Sequence, residues 1–231
     1  MKIIGLIGGL SWESSAEYYR IINQETRKRL GGVHSAPCLM LSFDFGEIEA
    51  LQAAGDWNAA SERMVDAARR LELAGAECIV ICSNTMHLLA DAVGAAATIP
   101  LLHIADATAK PILDRGFSRV GLLGTRFTME QDFYRGRMSE RFGLDVLTPD
   151  AAERDIVNSI IYEELVRGII RAESRRAYQA VIETLRDAGA EAVVLGCTEI
   201  GLLIKRADSA LPAFDTTALH ARAAVDWALG G

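Results

Sequence analysis

One stretch of this chain occurs twice. Gly75-Ala76-Glu77 leads into Ile79-Val80-Ile81-Cys82-Ser83-Asn84-Thr85, and Gly189-Ala190-Glu191 leads into Val193-Val194-Leu195-Gly196-Cys197-Thr198-Glu199. A shift of 114 residues superposes the two Gly-Ala-Glu turns and sets Ser83 opposite Cys197. The 231-residue chain is half apolar, enough to bury a substantial core. The duplication divides it into halves of about 115 residues, an ordinary domain size. A hydroxyl on one half matched to a thiol on the other suggests a site on a pseudo-twofold axis, able to attack one carbon from two sides.

Four short apolar runs fall in each half. The first half has Ile3-Ile4-Gly5-Leu6-Ile7, Leu39-Met40-Leu41-Ser42-Phe43, Cys78-Ile79-Val80-Ile81-Cys82 and Pro100-Leu101-Leu102-His103-Ile104. The second has Val120-Gly121-Leu122-Leu123, Leu144-Asp145-Val146-Leu147, Ala192-Val193-Val194-Leu195 and Leu211-Pro212-Ala213-Phe214. Runs this continuous suit parallel strands covered on both faces. Between them, Ala16 to Leu30, Trp57 to Leu73, Asp155 to Val166 and Ala172 to Ala188 place apolar residues three and four apart, as amphipathic helices do. The predicted fold is α/β, with two similar parallel (βα)4-type domains joined near Asp114-Arg115-Gly116. Ligands in such folds bind beyond the carboxyl ends of the strands.

A net charge of −7 with no basic run argues against nucleic acid as a partner, and leaves small acidic substrates open. The apolar start Lys2 to Gly9 is too short for a signal peptide. No apolar run reaches the roughly 20 residues of a membrane helix, so no membrane partner is expected. A soluble, cytoplasmic protein is the expectation. Cys38, Cys78, Cys82 and Cys197 show neither disulfide nor zinc spacing, which points to reduced thiols. No G-x-G-x-x-G and no phosphate loop occurs, so no nucleotide cofactor is expected. His34, His87, His103 and His220 lack metal-site spacing.

Cys197 ends a strand just before Thr198-Glu199-Ile200. A thiol at a helix start feels the positive end of the dipole, which predicts a lowered pKa. Its alternative role is that of a buried structural cysteine. Ser83 holds the matching place, followed by Asn84 and Thr85, as a cap, a ligand-binding run or both. Alternation along the strand turns Cys82 to the packed side if Ser83 faces the ligand. Thr125 ends another strand, with Thr128 three residues on; Gly8-Gly9 with Ser11 forms the corresponding tight turn in the first half. His87 lies close to Ser83, either tuning it electrostatically or simply satisfied and partly buried. Glu47, Glu49, Asp56, Glu62 and Glu72 read as a solvated face.

Gly8-Gly9-Leu10-Ser11-Trp12-Glu13-Ser14, Ser83-Asn84-Thr85-Met86-His87 and Gly196-Cys197-Thr198-Glu199-Ile200 together resemble the aspartate/glutamate racemase family, over essentially the whole chain. The resemblance implies cofactor-independent racemisation of an acidic amino acid: one residue removes the α-proton and another protonates the opposite face. Most members use two cysteines. Ser83 departs from that pattern and is similar to the branch specific for L-aspartate and L-glutamate, where a threonine stands. The implied catalytic pair is Ser83 and Cys197. Leu10, Gln52, Asn84, Thr85, Thr125, Thr128, Thr198 and Glu199 are the implied substrate-binding set. Within it, Asn84, Thr125 and the backbone near Thr85 and Thr198 serve the carboxylate beside Cα. Gln52 and Thr128 are candidates for the distal one, and Glu199 holds the ammonium or orients a neighbour. Arg126 and Arg135 are the basic residues nearby in the chain. The implied organisation is a first domain over 1–105 with a helix over 217–231 packing back on it, a second domain over 106–216, an active site in the cleft between them, and a homodimer.

An alcohol is a poor base but a usable proton donor. Cys197 is therefore expected to take the α-proton of the L-isomer and Ser83, directly or through water, to protonate the other face. Two alternatives stand beside this reading: a single-cysteine decarboxylase or cis-trans isomerase on the same scaffold, and a non-catalytic dicarboxylate-binding protein.

Overall fold

In the computed structural model, which describes residues 1–231, the apolar runs become short parallel strands in two sheets. Strands β1 (Ile4–Gly8), β2 (Cys38–Ser42), β3 (Cys78–Ile81) and β4 (Leu101–Leu102) order as β2-β1-β3-β4. Strands β5 (Arg119–Gly124), β6 (Asp145–Leu147), β7 (Ala192–Gly196) and β8 (Ala213–Asp215) order as β6-β5-β7-β8, the same topology again. The first sheet carries helices α1 (Trp12–Leu30), α2 (Phe45–Ala54), α3 (Trp57–Leu73) and α4 (Ala90–Ala96). The second carries α5 (Ile104–Asp114), α6 (Arg126–Glu130), α7 (Asp132–Phe142), α8 (Ala151–Glu163), α9 (Ala172–Asp187) and α10 (Ile200–Leu203). Helix α11 (Thr216–Ala228) closes the chain. One compact unit is Met1–His103 with His220–Gly231; the other is Ile104–Leu219.

The duplicated turn makes the same bonds in both units. Glu77 Oε2 accepts from the Ile3 amide (2.7 Å) and Glu77 N–H donates to Ile3 O (2.8 Å). Glu191 Oε2 accepts from Ser118 N (2.7 Å) and Arg119 N (2.9 Å), and its own N–H donates to Arg119 O. Each glutamate ties the start of its third strand to the start of its first. Gly75 and Gly189 stand at φ +97 and +96, a region glycine enters at low cost.

Both faces of the second sheet are covered, which explains its unbroken apolar runs. Leu123, Val193 and Leu195 pack on Tyr178, Val181, Ile182 and Leu185 of α9. Val120, Leu122 and Val194 pack oppositely on Ile104, Ala109 and Ile112 of α5. That packing moves the first crossing between units to His103/Ile104, ahead of the expected join at Asp114-Arg115-Gly116. Strand ends also shift where a stronger local signal intervenes. Ile104 opens α5 and so shortens β4, and the Asp150 side chain caps α8 by accepting from Glu153 N (2.9 Å), starting that helix before Asp155. No helix is long and apolar enough to cross a membrane.

In the first unit Ile79 and Ile81 pack on Met64, Ala67, Ala68 and Leu71 of α3. Alternation turns Cys78, Val80 and Cys82 to the other side of β3, and all three are fully buried. Burial raises the Cys78 thiol from 9.0 to about 12 and raises Cys82 further. A folded pKa above the unfolded one leaves stability untouched below about pH 9; above it, the unfolded chain ionises first and gains. The urea midpoint is therefore expected to hold below about pH 9 and to fall as the pH rises from there towards about 12. Cys78→Ala, measured against its own neutral-pH value, should flatten that slope; an unchanged slope would contradict the assignment.

Candidate functional site

At the end of β1 the chain turns on Gly8-Gly9. Gly9 has φ +70, and a Cβ there would stand 2.1 Å from Phe43 O and 2.2 Å from Phe43 N. The turn ends at Ser11, which holds φ 121, a strained conformation for a residue with a side chain. Ser11 Oγ accepts from Ser14 N (3.3 Å) as the cap of α1, and Ser15 Oγ accepts from Gly9 N (2.8 Å). Strain held by several hydrogen bonds at a strand end marks a place where backbone shape matters. The glycine pair announces the turn in the sequence; the strained serine has no such signal.

Ser83 follows β3 by two residues and is buried, its Oγ accepting from Met86 N at 3.4 Å. Asn84 and Thr85 are also buried, and Thr85 opens a 3-10 turn to Leu89. Gln52, on α2, reaches this loop through its Nε2, 3.0 Å from Met86 Sδ. Leu10 and Met86 share one apolar cluster. The structure thus brings Ser83, Asn84, Thr85, Gln52 and Leu10 to the carboxyl end of the first sheet.

The second unit gathers the other half of the expected set. Gly124 and Gly196 are register partners, so Thr125 and Cys197 come next on adjacent strands. A Cβ at Gly124 would meet Gly196 O at 2.7 Å, so the strand pair closes only with glycine there. Thr125 caps α6 by accepting from Thr128 N (3.4 Å), and the two hydroxyls lie 3.2 Å apart. Cys197 Sγ donates to Glu199 Oε2 at 2.9 Å, and Thr198 Oγ1 donates to the same oxygen at 2.6 Å. Glu199 is itself only 4% exposed. Arg126 and Arg135 lie outside this group, paired on the surface with Asp155 and Asp132.

The expected lowering of the Cys197 pKa is reversed. Burial is the largest cause, and the Glu199 carboxylate adds charge repulsion and a hydrogen bond that holds the thiol proton. Backbone N–H groups of Glu199 and Ile200 pull the other way and are outweighed. A long helix would supply a substantial dipole, whereas α10 has four residues. Tyr178 is also near this charge: its OH donates to Val157 O (3.1 Å), and burial, then Cys197 and Glu199, raise its pKa. Nothing in the spacing of the sequence pointed to Tyr178.

The sequence pattern of the family described as Asp/Glu/Hydantoin racemase matches residues 7–224, and the chain belongs to that family. It is similar to the crystal structure of a proposed Asp/Glu racemase from Yersinia pestis: 56% identity, TM-score 0.93, covering 99% of this chain and 100% of the other. An aspartate racemase homologue from Pyrococcus horikoshii OT3 is 35% identical with a TM-score of 0.86, again over 99% and 100% of the two chains. The broad specificity amino-acid racemase RacX of Bacillus subtilis (strain 168) is 24% identical over 173 residues, 74% of this chain and 73% of RacX.

Proposed function

We propose that this protein is a cofactor-independent racemase of aspartate or glutamate, with Cys197 and Ser83 acting on opposite faces of one Cα. The observation that carries this reading is the equivalence of the two residues. Each follows the third strand of a β2-β1-β3-β4-type sheet, and each precedes a short helical turn. Relatives described as an Asp/Glu racemase and an aspartate racemase homologue support the substrate class.

The buried thiol needs a proton acceptor before it can be a base, and Glu199 is in hydrogen-bond contact with it. In the proposed sequence the thiol proton passes to Glu199 and the sulfur takes the Cα proton of the L-isomer. The C–H electron pair stays on Cα, conjugated with the substrate carboxylate. Ser83 O–H then protonates the opposite face, and the N–H of Met86 stabilises the oxygen left behind. Solvent carries the Glu199 proton back to Ser83, which completes the cycle.

The test is proton NMR of L- and D-aspartate and glutamate with the enzyme in heavy water. Exchange at Cα should be much faster from the L-isomers, because a thiolate is the better base. Ser83→Cys should raise exchange from the D-isomers about 10-fold or more. Equal wild-type exchange from both enantiomers would refute the assignment of faces. One observation favours a second reading: a thiol held protonated suits a decarboxylase with a single proton donor. Carbon dioxide release from disubstituted malonates, with no exchange on amino acids, would select it.

A further inference from the structure

We infer that His87 is the positioning residue for Ser83, an inference that rests on the proposed role of that serine. Its Nδ1 lies 2.6 Å from Ser83 O. A carbonyl only accepts, so Nδ1 carries the proton. The need for this donor follows from the strand end. The β1–β3 ladder closes with Cys82 N donating to Ile7 O, and the β3–β4 pairing ends at Val80, so the Ser83 carbonyl is past both neighbours. A buried carbonyl must find a donor elsewhere.

The thiol half solves the same problem differently. There the Ile200 N–H donates to Cys197 O at 3.1 Å. Met86 is the counterpart of Ile200 under the 114-residue repeat, yet its N–H goes to the Ser83 hydroxyl. With His87 on the carbonyl, the Met86 N–H goes to the hydroxyl, whereas the Ile200 N–H serves the Cys197 carbonyl as well as acting on the thiol. The counterpart of His87 is Gly201, which has no side chain, and a Cβ there would stand 2.9 Å from Asp215 Oδ2, so that carboxylate would have to move to admit one. The imidazole is therefore particular to the serine half. That half is also the one that needs it. An alcohol giving up its proton gains more from an aimed N–H than a thiol does, because its conjugate base is the less stable.

The ring is held in place by two others. His103 lies 4.7 Å away and His220 5.5 Å, centroid to centroid, and all three are buried. His220 is itself fixed: its Nε2 donates to Leu102 O (2.7 Å), and its Nδ1, in a neutral ring, accepts from Tyr18 OH (2.8 Å). His103 and His220 are the residues at which the chain leaves and re-enters the first unit.

The test separates inversion from exchange with retention, both read by NMR on L-aspartate in heavy water. His87→Asn places an amide donor near the Nδ1 position, whereas His87→Gln places its amide near Nε2. We expect His87→Gln to slow inversion about 10–100-fold, the scale of a roughly 1 Å misplacement, and to leave exchange with retention at Cys197 unchanged. His87→Asn should keep inversion within a few-fold of wild type. Equal losses in both variants, or equal loss of inversion and retention in His87→Gln, would overturn the inference. A nitrogen–proton correlation spectrum of the unsubstituted protein gives an independent check: a bare Nδ1 on His87 at neutral pH overturns it whatever the variants do. Ser83→Ala separates the two levels. If it leaves inversion intact, the role of the serine has failed. If it abolishes inversion while the two His87 variants behave alike, only the positioning role has.

Discussion

On the proposed assignment, Cys197→Ser is expected to abolish Cα exchange from both enantiomers, a loss of at least about 10³-fold measured by deuterium incorporation. The size follows from chemistry. A thiol raised by burial can still hand its proton to the Glu199 carboxylate in contact with it; an alcohol at the same place starts from a far weaker acid. Glu199→Gln separates the two effects of that carboxylate. It removes the repulsion and the hydrogen bond that raise the thiol, so alkylation by iodoacetamide should reach its half-maximum at lower pH than in the wild type. It also removes the proposed proton acceptor, so racemisation should slow. A Gln variant with faster racemisation would show that thiolate population, not a positioned base, limits the reaction. In the wild type, alkylation of Cys197 should climb about tenfold per pH unit through the neutral range, since the thiol stays mostly protonated there.

Gly9→Ala destabilises the fold by at least about 4 kcal/mol, or prevents folding, measured by urea unfolding. Two effects add. A side chain at φ +70 is disfavoured by about 1–2 kcal/mol. The steric clash weighs more: the new Cβ would approach Phe43 O to 2.1 Å and Phe43 N to 2.2 Å, both backbone atoms that move only if β2 and its following turn move with them. Gly143→Ala is the control. It has φ +69 and nothing within 4 Å, so it should lose only what the backbone conformation itself demands. Similar losses at the two positions would show that the contact at Gly9 relaxes easily.

Much of the molecule was legible from periodicity. Continuous apolar runs in β3, β5 and β7 spelled out strands buried on both faces, because a strand covered twice has no reason to alternate. The repeated Gly-Ala-Glu reported equivalent turns, and those turns make equivalent bonds. Boundaries were less visible. Helix α5 lies directly after β4 in the sequence, yet its apolar face, Ile104, Ala109 and Ile112, belongs to the second core. Nothing local says which sheet a helix will cover.

The same division runs through the candidate site. Ser83, Asn84, Thr85, Thr125, Cys197 and Glu199 are named by their places after strands and by the match between halves, both properties of the chain's order. What happens to Cys197 is decided by its surroundings. A sequence places it before a helix and so predicts an acidic thiol; only the folded chain shows that the helix is one turn long, that the sulfur is buried, and that a carboxylate holds its proton. His87 and His103 meet because β3 pairs with β4, and His220, much later in the chain, joins them only because the last helix returns to the first sheet. Order along a chain specifies which groups exist and on which elements; desolvation and long-range contact, which set how readily each group gives up a proton, arise only when the chain is packed.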